Sequence, residues 1–286
     1  MATRQSTKLR IPHSQDDCEL VGILEQLAPE ESTQGRKIAL ILHGTMGHKD
    51  YLFQKRLALR FPIDSFRFDF RGNHESGGQR TQSGIARDVE DLVTVVSYLR
   101  NTYGYEIDAV VGHSRGSVVG MHWLCTSEEG QRVRAMVNAS GRYRMDGVYG
   151  MLKNLYKEQW DFKGHYERTV TVARQTVVER VYPEDLEQFS KWNTAIVWDK
   201  FPAQIDVLTM HGLLDKTVPS YDAVIYSRAL GARTPGTHNL HLVEKADHNF
   251  TKRQDEVVDC ILEWWDALNQ GRLKTGIFMT GVRGKL

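Results

Sequence analysis

Short runs of apolar and β-branched residues recur along the chain, and longer segments with helical spacing separate them. The run 38–42, Ile-Ala-Leu-Ile-Leu, is apolar at every position, which is typical of a strand buried on both faces of a parallel sheet. On this basis the predicted strands are 18–27, 36–42, 65–70, 107–111, 133–138, 205–210 and 239–243.

Two segments between these runs have the apolar spacing of one helix face. In the first, the apolar positions are Ile85, Val89, Leu92, Val93, Val96 and Leu99. Ser83 is predicted to cap its start and Gly104 its end. The second segment extends over 257–268. Strands that alternate with helices indicate βαβ units, and therefore an α/β fold around a parallel sheet.

The segment 141–201 interrupts this alternation, since it contains no convincing strand pattern. It is rich in tyrosine, tryptophan and phenylalanine. Two or three helices are predicted within it, one near 166–181 and one that starts at Pro183. We interpret 141–201 as a helical insertion on the sheet of a single domain that spans 1–286.

Composition and charge agree with an ordinary globular protein. The 286 residues suit one large α/β domain, with or without an insertion, or two small domains. A net charge of +1 provides no strong field that would gather nucleic acid or an anionic membrane. We interpret the basic C-terminal residues Arg272, Lys274, Arg283 and Lys285 as a solvated tail.

Cysteine usage and the N-terminal sequence bear on the cellular compartment. Cys18, Cys125 and Cys260 are far apart and lack CxxC spacing, so neither a disulfide framework nor a cysteine-based zinc site is predicted. The first residues contain no apolar signal-peptide region, and no apolar run is long enough to cross a bilayer. These features predict a soluble cytoplasmic protein without a membrane partner.

The strongest local motif for chemistry is Gly-His-Ser-Arg-Gly at 112–116, which matches G-x-S-x-G around Ser114. A predicted strand precedes it and a buried helical segment follows, which is the setting of a nucleophile elbow. The serine of such an elbow lies on a strained turn, so the residues two positions away must lack side chains. Gly112 and Gly116 meet that requirement, and Gly120 would let the following helix approach the sheet.

A serine nucleophile needs a base, and the base needs an orienting acid. The segment 211–219, HGLLDKTVP, resembles the H-G-x-x-D-x-x-V-P segment of the α/β-hydrolases, with Asp215 in the position of the acid. The segment 246–250, ADHNF, resembles their G/A-x-H-x-F segment, with His248 in the position of the base. Alone, each would be read as a capping or surface residue. Their order after Ser114 is that of this family and predicts a catalytic triad.

Acyl chemistry also needs two donors for the oxyanion. The backbone N–H of Arg115, which directly follows Ser114, is the first candidate. The loop 43–49, HGTMGHK, resembles the H-G-x-x-G loop of these hydrolases, where Thr45 occupies the donor position and Met46 is the alternative. The long side chain of Arg115 either contacts the substrate or pairs with an acidic neighbour.

Three titratable residues beside these motifs are given no catalytic role. Asp247 is next to His248 in sequence and is badly placed to orient its imidazole. The side chain of His113 is predicted to point away from Ser114, and His43 is predicted to fix its loop.

Other polar motifs are interpreted as structural. The loop 68–78, FDFRGNHESGG, resembles the D-x-R-G-x-G-x-S loop of the same family, so Asp69 and Arg71 are assigned no chemistry. His238 and His241 lie three positions apart on a predicted strand and should face opposite sides, which is poor zinc geometry. No metal site is predicted.

Over 18–268 the chain is similar to serine hydrolases of the α/β-hydrolase superfamily, especially the carboxylesterase, cinnamoyl (feruloyl) esterase and serine aminopeptidase-like branch. The resemblance implies an α/β-hydrolase fold: a mostly parallel twisted sheet with helices on both faces and a helical lid at 141–201. The aromatic residues of this lid suggest a hydrophobic or aromatic acyl group. Alternatively, they form the insertion's own small core.

The same resemblance implies an esterase of class EC 3.1.1 that acts on a small-molecule ester through an acyl-enzyme, without a cofactor. Acyl transfer, peptide hydrolysis and C–C bond hydrolysis use the same triad, and a non-catalytic receptor on this scaffold is a further alternative. The sequence does not distinguish between substrates, and it is compatible with a homo-oligomer.

Overall fold

The computed structural model describes residues 4–14 and 16–280, which build a nine-stranded sheet and a separate two-stranded hairpin. The strands are β1 (Gln5–His13), β2 (Cys18–Gln26), β3 (Lys37–Leu42), β4 (Asp64–Phe68), β5 (Glu106–His113), β6 (Ala135–Ala139), β7 (Tyr166–Val172), β8 (Gln175–Val181), β9 (Asp206–Gly212), β10 (His238–Val243) and β11 (Gly276–Ile277). The order across the large sheet is β1-β2-β4-β3-β5-β6-β9-β10-β11, and β7 pairs with β8.

The large sheet is mostly parallel, as predicted. From β4 to β11 every neighbouring pair is parallel, whereas β2 is antiparallel to both β1 and β4. All seven segments predicted as strands belong to this sheet. The edge strand β1 is a strand that the apolar runs did not reveal, because it buries only alternate side chains: Leu9, Ile11 and His13 are buried, and Arg10 and Pro12 are exposed.

Helices cover both faces of the sheet, as predicted. They are α1 (Gln54–Arg60), α2 (Ile85–Tyr103), α3 (Arg115–Thr126), α4 (Gly147–Leu155), α5 (Lys157–Lys163), α6 (Pro183–Ser190), α7 (Ile196–Lys200), α8 (Tyr221–Leu230) and α9 (Gln254–Asn269). Successive residues of β3 point into two different cores. Leu40 packs into the core that includes α2, α3 and α8, and Ile41 into the core that includes α1 and α9. Burying such a side chain contributes about 1.5–3 kcal/mol.

The first predicted helix corresponds to α2, but its start differs from the prediction. Gly104 ends the helix with φ of 74°, and its N–H bonds to the carbonyl of Arg100. Gly84 occupies the N-cap position instead of Ser83. The Ser83 hydroxyl instead donates a hydrogen bond to Asp185, 2.7 Å away and distant in sequence, so it does not cap the helix.

The prediction of a helix near 166–181 is wrong. This segment forms the antiparallel hairpin of β7 and β8, while α6 begins at Pro183 as predicted. Both strands are rich in valine and threonine, whose branched side chains favour extended backbone. The aromatic residues around the hairpin obscured this pattern. The segment 141–201 therefore combines helices with a hairpin and is not purely helical.

The turn of this hairpin consists of Ala173 and Arg174, with φ of 48° and 69°. A two-residue hairpin loop normally takes Asn-Gly or Asp-Gly, because these residues tolerate positive φ at low cost. Ala-Arg carries no such signal. The sequence consequently offered no turn between the two strands.

The remaining expectations concern termini and cysteines. Cys18, Cys125 and Cys260 are all free thiols. In the predicted basic tail, Arg272 is exposed and pairs with Asp266, while Arg283 and Lys285 lie outside the described residues. Within 4–14 and 16–280, no helix combines the length and apolarity required to span a bilayer.

Candidate active site

Three side chains singled out in the sequence follow the carboxyl ends of parallel strands. Ser114 follows β5, Asp215 lies three residues after β9, and His248 lies in the loop after β10. The strands β5, β6, β9 and β10 are consecutive neighbours in the sheet. Parallel strands present their carboxyl ends at one edge, where α/β proteins bind ligands. This topology brings together residues that are more than a hundred positions apart.

The turn at Ser114 is strained in the way that the motif predicts. Ser114 has φ of 52° and ψ of −115°, an unfavourable region for a residue with a side chain. A Cβ atom on Gly112 would lie 2.5 Å from the backbone of Ser117, and one on Gly116 would lie 2.6 Å from the carbonyl oxygen of His43. Both glycines are thus required by close backbone contacts, and the turn presents the serine hydroxyl at the sheet edge.

Ser114, His248 and Asp215 form a continuous chain of hydrogen bonds. Ser114 Oγ lies 2.9 Å from His248 Nε2, and His248 Nδ1 lies 2.7 Å from Asp215 Oδ2. The Asp215 side chain is fully buried, and that of His248 is 14% exposed. A proton can therefore pass from the hydroxyl to the imidazole while solvent still reaches the ring. Asp247 does not join this chain, because its Oδ1 accepts the N–H groups of Asn249 and Thr251.

Asp215 is held as a carboxylate by donors on both oxygens. Its Oδ1 accepts the backbone N–H groups of Thr217 and Val218, each at 2.8 Å. Its Oδ2 lies 3.1 Å from Nε2 of His211 in addition to the bond with His248. Burial raises the pKa of Asp215, but hydrogen bonds from His211 and His248 outweigh it and hold the pKa well below its usual value. Asp215 is therefore charged at neutral pH.

Two further histidines, His211 and His113, position these groups, although the sequence motifs assign them no role. His211 Nε2 also lies 2.9 Å from the carbonyl of Val218, which only accepts, so this nitrogen carries the proton and bridges the Asp215 loop. His113 donates from Nε2 to the backbone carbonyl of His248 at 2.9 Å. Burial lowers the pKa of His113 to about 3, so it stays neutral. Their burial, at 1% and 2% exposure, was not visible in the sequence.

The predicted oxyanion loop packs directly against the nucleophile. A Cβ atom on Gly44 would lie 3.1 Å from the Cβ of Ser114, so only a glycine lets the loop come this close. The N–H of Gly47 closes a turn onto the carbonyl of Gly44 at 3.0 Å, with Thr45 and Met46 between them. Thr45 and Met46 line the cavity beside the serine.

His43 fixes this loop, as predicted. Its Nε2 accepts the N–H of Phe70 at 3.0 Å, and its Nδ1 lies 2.8 Å from the carbonyl of Gly44. Burial lowers the pKa of His43, so the ring is neutral. The ring links the loop after β3 to the loop after β4.

A buried ion pair ties the same two loops together. Lys49 Nζ lies 2.9 Å from Asp69 Oδ2 and also bonds Glu75, and the side chains of Lys49 and Asp69 are 1% and 0% exposed. Hydrogen bonds from Lys49 and Lys8 lower the pKa of Glu75 to about 2. The side chains of Asp69, His74 and Glu75 lie close enough together to hold a metal ion. In this structure the Lys49 ammonium group provides the positive charge next to the two carboxylates.

We expect Lys49→Met to lower the free energy of unfolding by about 3–5 kcal/mol, because the buried Asp69 carboxylate loses its cation. The matched control is Lys8→Met, which removes the partly exposed pair with Glu75 and should cost below about 1 kcal/mol. Urea unfolding monitored by circular dichroism measures both. Equal losses in the two variants would show that the buried pair does not stabilise the loops.

The side chain of Arg115 pairs with an acidic neighbour, which is one of the two interactions predicted for it. Its Nε bonds Asp88 and its Nη1 donates to the carbonyl of Gln82 at 2.7 Å. The residue is 6% exposed and contributes to the cavity wall.

His238 and His241 bond different groups, Thr209 and the carbonyl of Phe278, and do not converge.

A cavity of about 510 Å³ opens beside Ser114 and His248. Its volume is in the range of small-molecule sites. The insertion supplies an aliphatic wall, formed by Met145, Val148, Met151, Leu152, Leu155 and Val170. Within 141–201, all of which the structure describes, Phe189 is the aromatic residue that reaches the cavity.

Four other aromatic side chains of the insertion, Tyr149, Tyr156, Trp160 and Tyr166, pack on one another. Tyr156 stacks on Tyr166 with ring centroids 4.1 Å apart, and Trp160 contacts Tyr166 at 5.6 Å. They form a small core with Val181 and neighbouring residues. Of the two interpretations of these aromatics, the contacts support an internal core and not an aromatic acyl pocket.

Comparison with known proteins agrees with this architecture. The uncharacterized protein YDL057W of Saccharomyces cerevisiae is 30% identical over 236 residues, which cover 75% of this chain and 69% of that protein. The ferulic acid complex of Est1E from Butyrivibrio proteoclasticus has a TM-score of 0.71 at 16% identity, covering 92% of this chain and 99% of that one. The esterase Pf2001 of Pyrococcus furiosus has a TM-score of 0.63 at 18% identity, covering 89% of each chain.

At such identities the solved structures establish a shared fold and nothing about substrates. A family model described as the alpha/beta hydrolase family matches 39–260, which contains the serine elbow and both of its partners. The match extends over most of the chain, and the chain therefore belongs to the alpha/beta hydrolase family.

Proposed function

We propose that this protein is a serine hydrolase that cleaves carboxylic esters through an acyl-enzyme intermediate. The observation that carries the proposal is the unbroken hydrogen-bond chain from Ser114 through His248 to Asp215, with separations of 2.9 and 2.7 Å. A serine hydroxyl is a weak nucleophile until a base takes its proton. In this arrangement Ser114 is the nucleophile, His248 the general base, and Asp215 the group that orients and stabilises the imidazole.

In the first half of the reaction, Ser114 Oγ attacks the ester carbonyl carbon while His248 Nε2 takes the hydroxyl proton. The negative charge that develops on the carbonyl oxygen is stabilised by the backbone N–H groups of Thr45 and Arg115. The carbon–oxygen bond to the alcohol then breaks. His248 returns the proton to the leaving alcohol oxygen, and the acyl group remains on Ser114.

In the second half, water replaces the alcohol. His248 takes a proton from the water, and the resulting hydroxide attacks the acyl carbon. Collapse of this intermediate breaks the bond to Ser114 Oγ, which recovers its proton from His248, and the carboxylic acid leaves. The net reaction consumes one water for each ester, and the residues described here carry every proton transfer.

The residues of the cavity wall favour a substrate with an aliphatic acyl group. Met145, Val148, Leu152 and Val170 provide flexible or branched hydrocarbon surface next to the nucleophile. Est1E, which shares this fold, is known with ferulic acid bound. Because Phe189 is the aromatic residue of 141–201 that lines the cavity here, we propose a hydrocarbon chain in preference to a feruloyl ring.

A fluorophosphonate probe tests the nucleophile directly, because it reacts covalently with an activated serine. We expect a single adduct on Ser114, mapped by peptide mass spectrometry, and no adduct in Ser114→Ala. The matched control is Ser220→Ala, since Ser220 forms no side-chain cap bond at the start of α8 and should not affect labelling. A folded wild-type protein that remains unlabelled would favour the receptor alternative.

A substrate panel then separates ester hydrolysis from the other reactions of this triad. The panel contains p-nitrophenyl esters of increasing chain length, a feruloyl ester and aminoacyl amides. We expect turnover of medium-length aliphatic esters to exceed that of the feruloyl ester. Preferential cleavage of the aminoacyl amides would instead indicate a peptidase.

A further inference from the structure

The cavity beside Ser114 is lined by arginine and lysine side chains but by no carboxylate among the described residues. The four basic side chains are those of Arg115, Arg142, Arg168 and Lys216. The whole chain carries a net charge of only +1. Positive charge is therefore concentrated at the cavity wall and is not a property of the overall composition.

Two of these four cations bond carboxylates behind the wall. Arg115 bonds Asp88, whose side chain is 7% exposed. Arg168 bonds Glu179 on the neighbouring strand of the hairpin, and Arg80 shares the same carboxylate. Asp88 balances Arg115, whereas Glu179 is shared by Arg168 and Arg80, and Nη2 of Arg168 has no hydrogen-bond partner among the described residues. Arg168 therefore adds positive charge to the cavity.

Arg142 and Lys216 differ from them. Arg142 donates to the backbone carbonyl of Thr217 and makes no ion pair within the described ranges. The nearby carboxylate of Asp222 is occupied by Arg144, which bonds its Oδ1 at 2.6 Å and donates its backbone N–H to Oδ2. Lys216 is exposed and likewise has no carboxylate partner in the part of the chain that the structure describes.

Arg142 and Lys216 line the same cavity as Ser114 and His248. Arg142 is three residues past the end of β6, and the last carbonyl of that strand accepts the N–H of Ser114. The Thr217 that accepts from Arg142 donates its own N–H to Asp215. Lys216 directly follows Asp215 in sequence. Lys216 thus lies on the loop that orients the catalytic base, and Arg142 is hydrogen-bonded to that loop.

Holding Arg142 without a directly bonded carboxylate has an energetic cost that a ligand could offset. Burial lowers the pKa of its guanidinium and outweighs the opposing effect of the nearby Asp222 and Asp215 carboxylates, which means that the charge has lost hydration. A hydrogen bond to one neutral carbonyl replaces only a part of that hydration. The guanidinium fork matches the geometry of a carboxylate or a phosphate, and an ammonium group adds a second, mobile charge.

We propose that the substrate carries an anionic group, a carboxylate or a phosphate, which Arg142 and Lys216 bind while its hydrocarbon part lies against the aliphatic wall of the insertion. This substrate class rests on the ester hydrolysis proposed above. The anion belongs either to the acyl part or to the alcohol part of the ester.

Matched substrates test the proposal on the wild-type protein. For the acyl side, mono-p-nitrophenyl adipate is compared with its neutral terminal amide. For the alcohol side, 3-carboxyphenyl butanoate is compared with 3-carbamoylphenyl butanoate. We expect kcat/KM to be at least about tenfold higher for the anionic member of one pair, mainly through a lower KM, and the preference to decline with added salt. No preference in either pair would overturn the proposal for carboxylates.

Substitutions of Arg142 and Lys216 test whether these two residues produce the preference for the anionic substrate. Lys216→Met should reduce the preference about tenfold, while kcat/KM for the neutral member changes by less than about threefold. Arg142→Gln should also reduce the preference about tenfold, measured as the ratio of kcat/KM between the two members, because its bond to Thr217 can change the rate for both. Arg142→Lys should recover part of it. The control is Lys55→Met, which removes an exposed lysine on α1 that does not line the cavity. Because Lys216 is exposed, its variant tests the proposal even if replacement of Arg142 disturbs folding.

A binding experiment makes the result independent of turnover. Isothermal titration calorimetry on Ser114→Ala compares octanoate and octyl phosphate with octanamide. We expect at least one anion to bind about tenfold more tightly than the amide, and Lys216→Met to reduce that difference. Which anion binds distinguishes a carboxylate from a phosphate. If neither is favoured, the proposal fails, whereas an unlabelled Ser114 in a protein that still binds the anion would reject only the hydrolase function.

Discussion

Replacing His248 with alanine should reduce kcat/KM for p-nitrophenyl esters by a factor on the order of 10⁴–10⁶ and leave the protein folded. Nε2 of His248, at 2.9 Å, is the side-chain atom bonded to Ser114 Oγ among the described residues, so the variant has no positioned group there to take the proton. The loss should fall mainly on kcat. Steady-state kinetics measure it, with far-ultraviolet circular dichroism and the melting temperature as tests of folding.

His241→Ala is the matched control for this experiment. His241 lies on β10, the strand that leads into the His248 loop, and its ring bonds the carbonyl of Phe278 away from the site. Its activity should stay within about threefold of wild type. Substantial activity in His248→Ala would contradict the proposed mechanism, since no other group near Ser114 is placed to act as the base.

Asp215→Asn should reduce kcat by about 10⁴-fold, the second largest effect that we expect. The amide has only one acceptor atom, whereas Asp215 now accepts from Thr217 and Val218 on one oxygen and from His248 on the other. If the amide oxygen faces the two backbone donors, its NH₂ faces His248 Nδ1. The ring must then carry its proton on Nε2, where it can no longer accept one from Ser114.

Asp247→Asn distinguishes the two candidate acids. Asp247 is adjacent to the base in sequence, but its carboxylate accepts backbone N–H groups of its own turn. We expect this variant to keep kcat within about threefold of wild type, with a small loss of stability. A greater loss in Asp247→Asn than in Asp215→Asn would show that the wrong carboxylate was assigned to the base.

Some features of this protein follow from residues that are close in the chain. The apolar run at 38–42 forms a fully buried strand because its length and composition suit no exposed structure. The glycines around Ser114 accompany a strained turn because a side chain at either position would collide with backbone. Asp215 and His248 were recognised because each lies in a short segment with a family pattern.

Two elements differ from the sequence-based prediction for different physical reasons. The hairpin at 166–181 was predicted as a helix because its turn, Ala173 and Arg174, lacks the usual residues and its strands lie among aromatics. Ser83 was predicted to cap α2, but Asp185, distant in sequence, accepts its hydroxyl. The cap therefore depends on a partner distant in sequence, whereas the hairpin is a local structure whose turn lacks the usual residues.

The α/β class, the succession of strands and motifs along the chain and the three candidate catalytic residues can be predicted from the amino-acid sequence, because they depend on local periodicity and on short motifs. Which charges are neutralised follows from the three-dimensional fold. Arg115 and Arg142 look alike in sequence, yet folding brings Asp88 to the first and gives the carboxylate near the second to Arg144. An ion pair depends on distance in space, and the fold sets that distance between residues far apart in the chain.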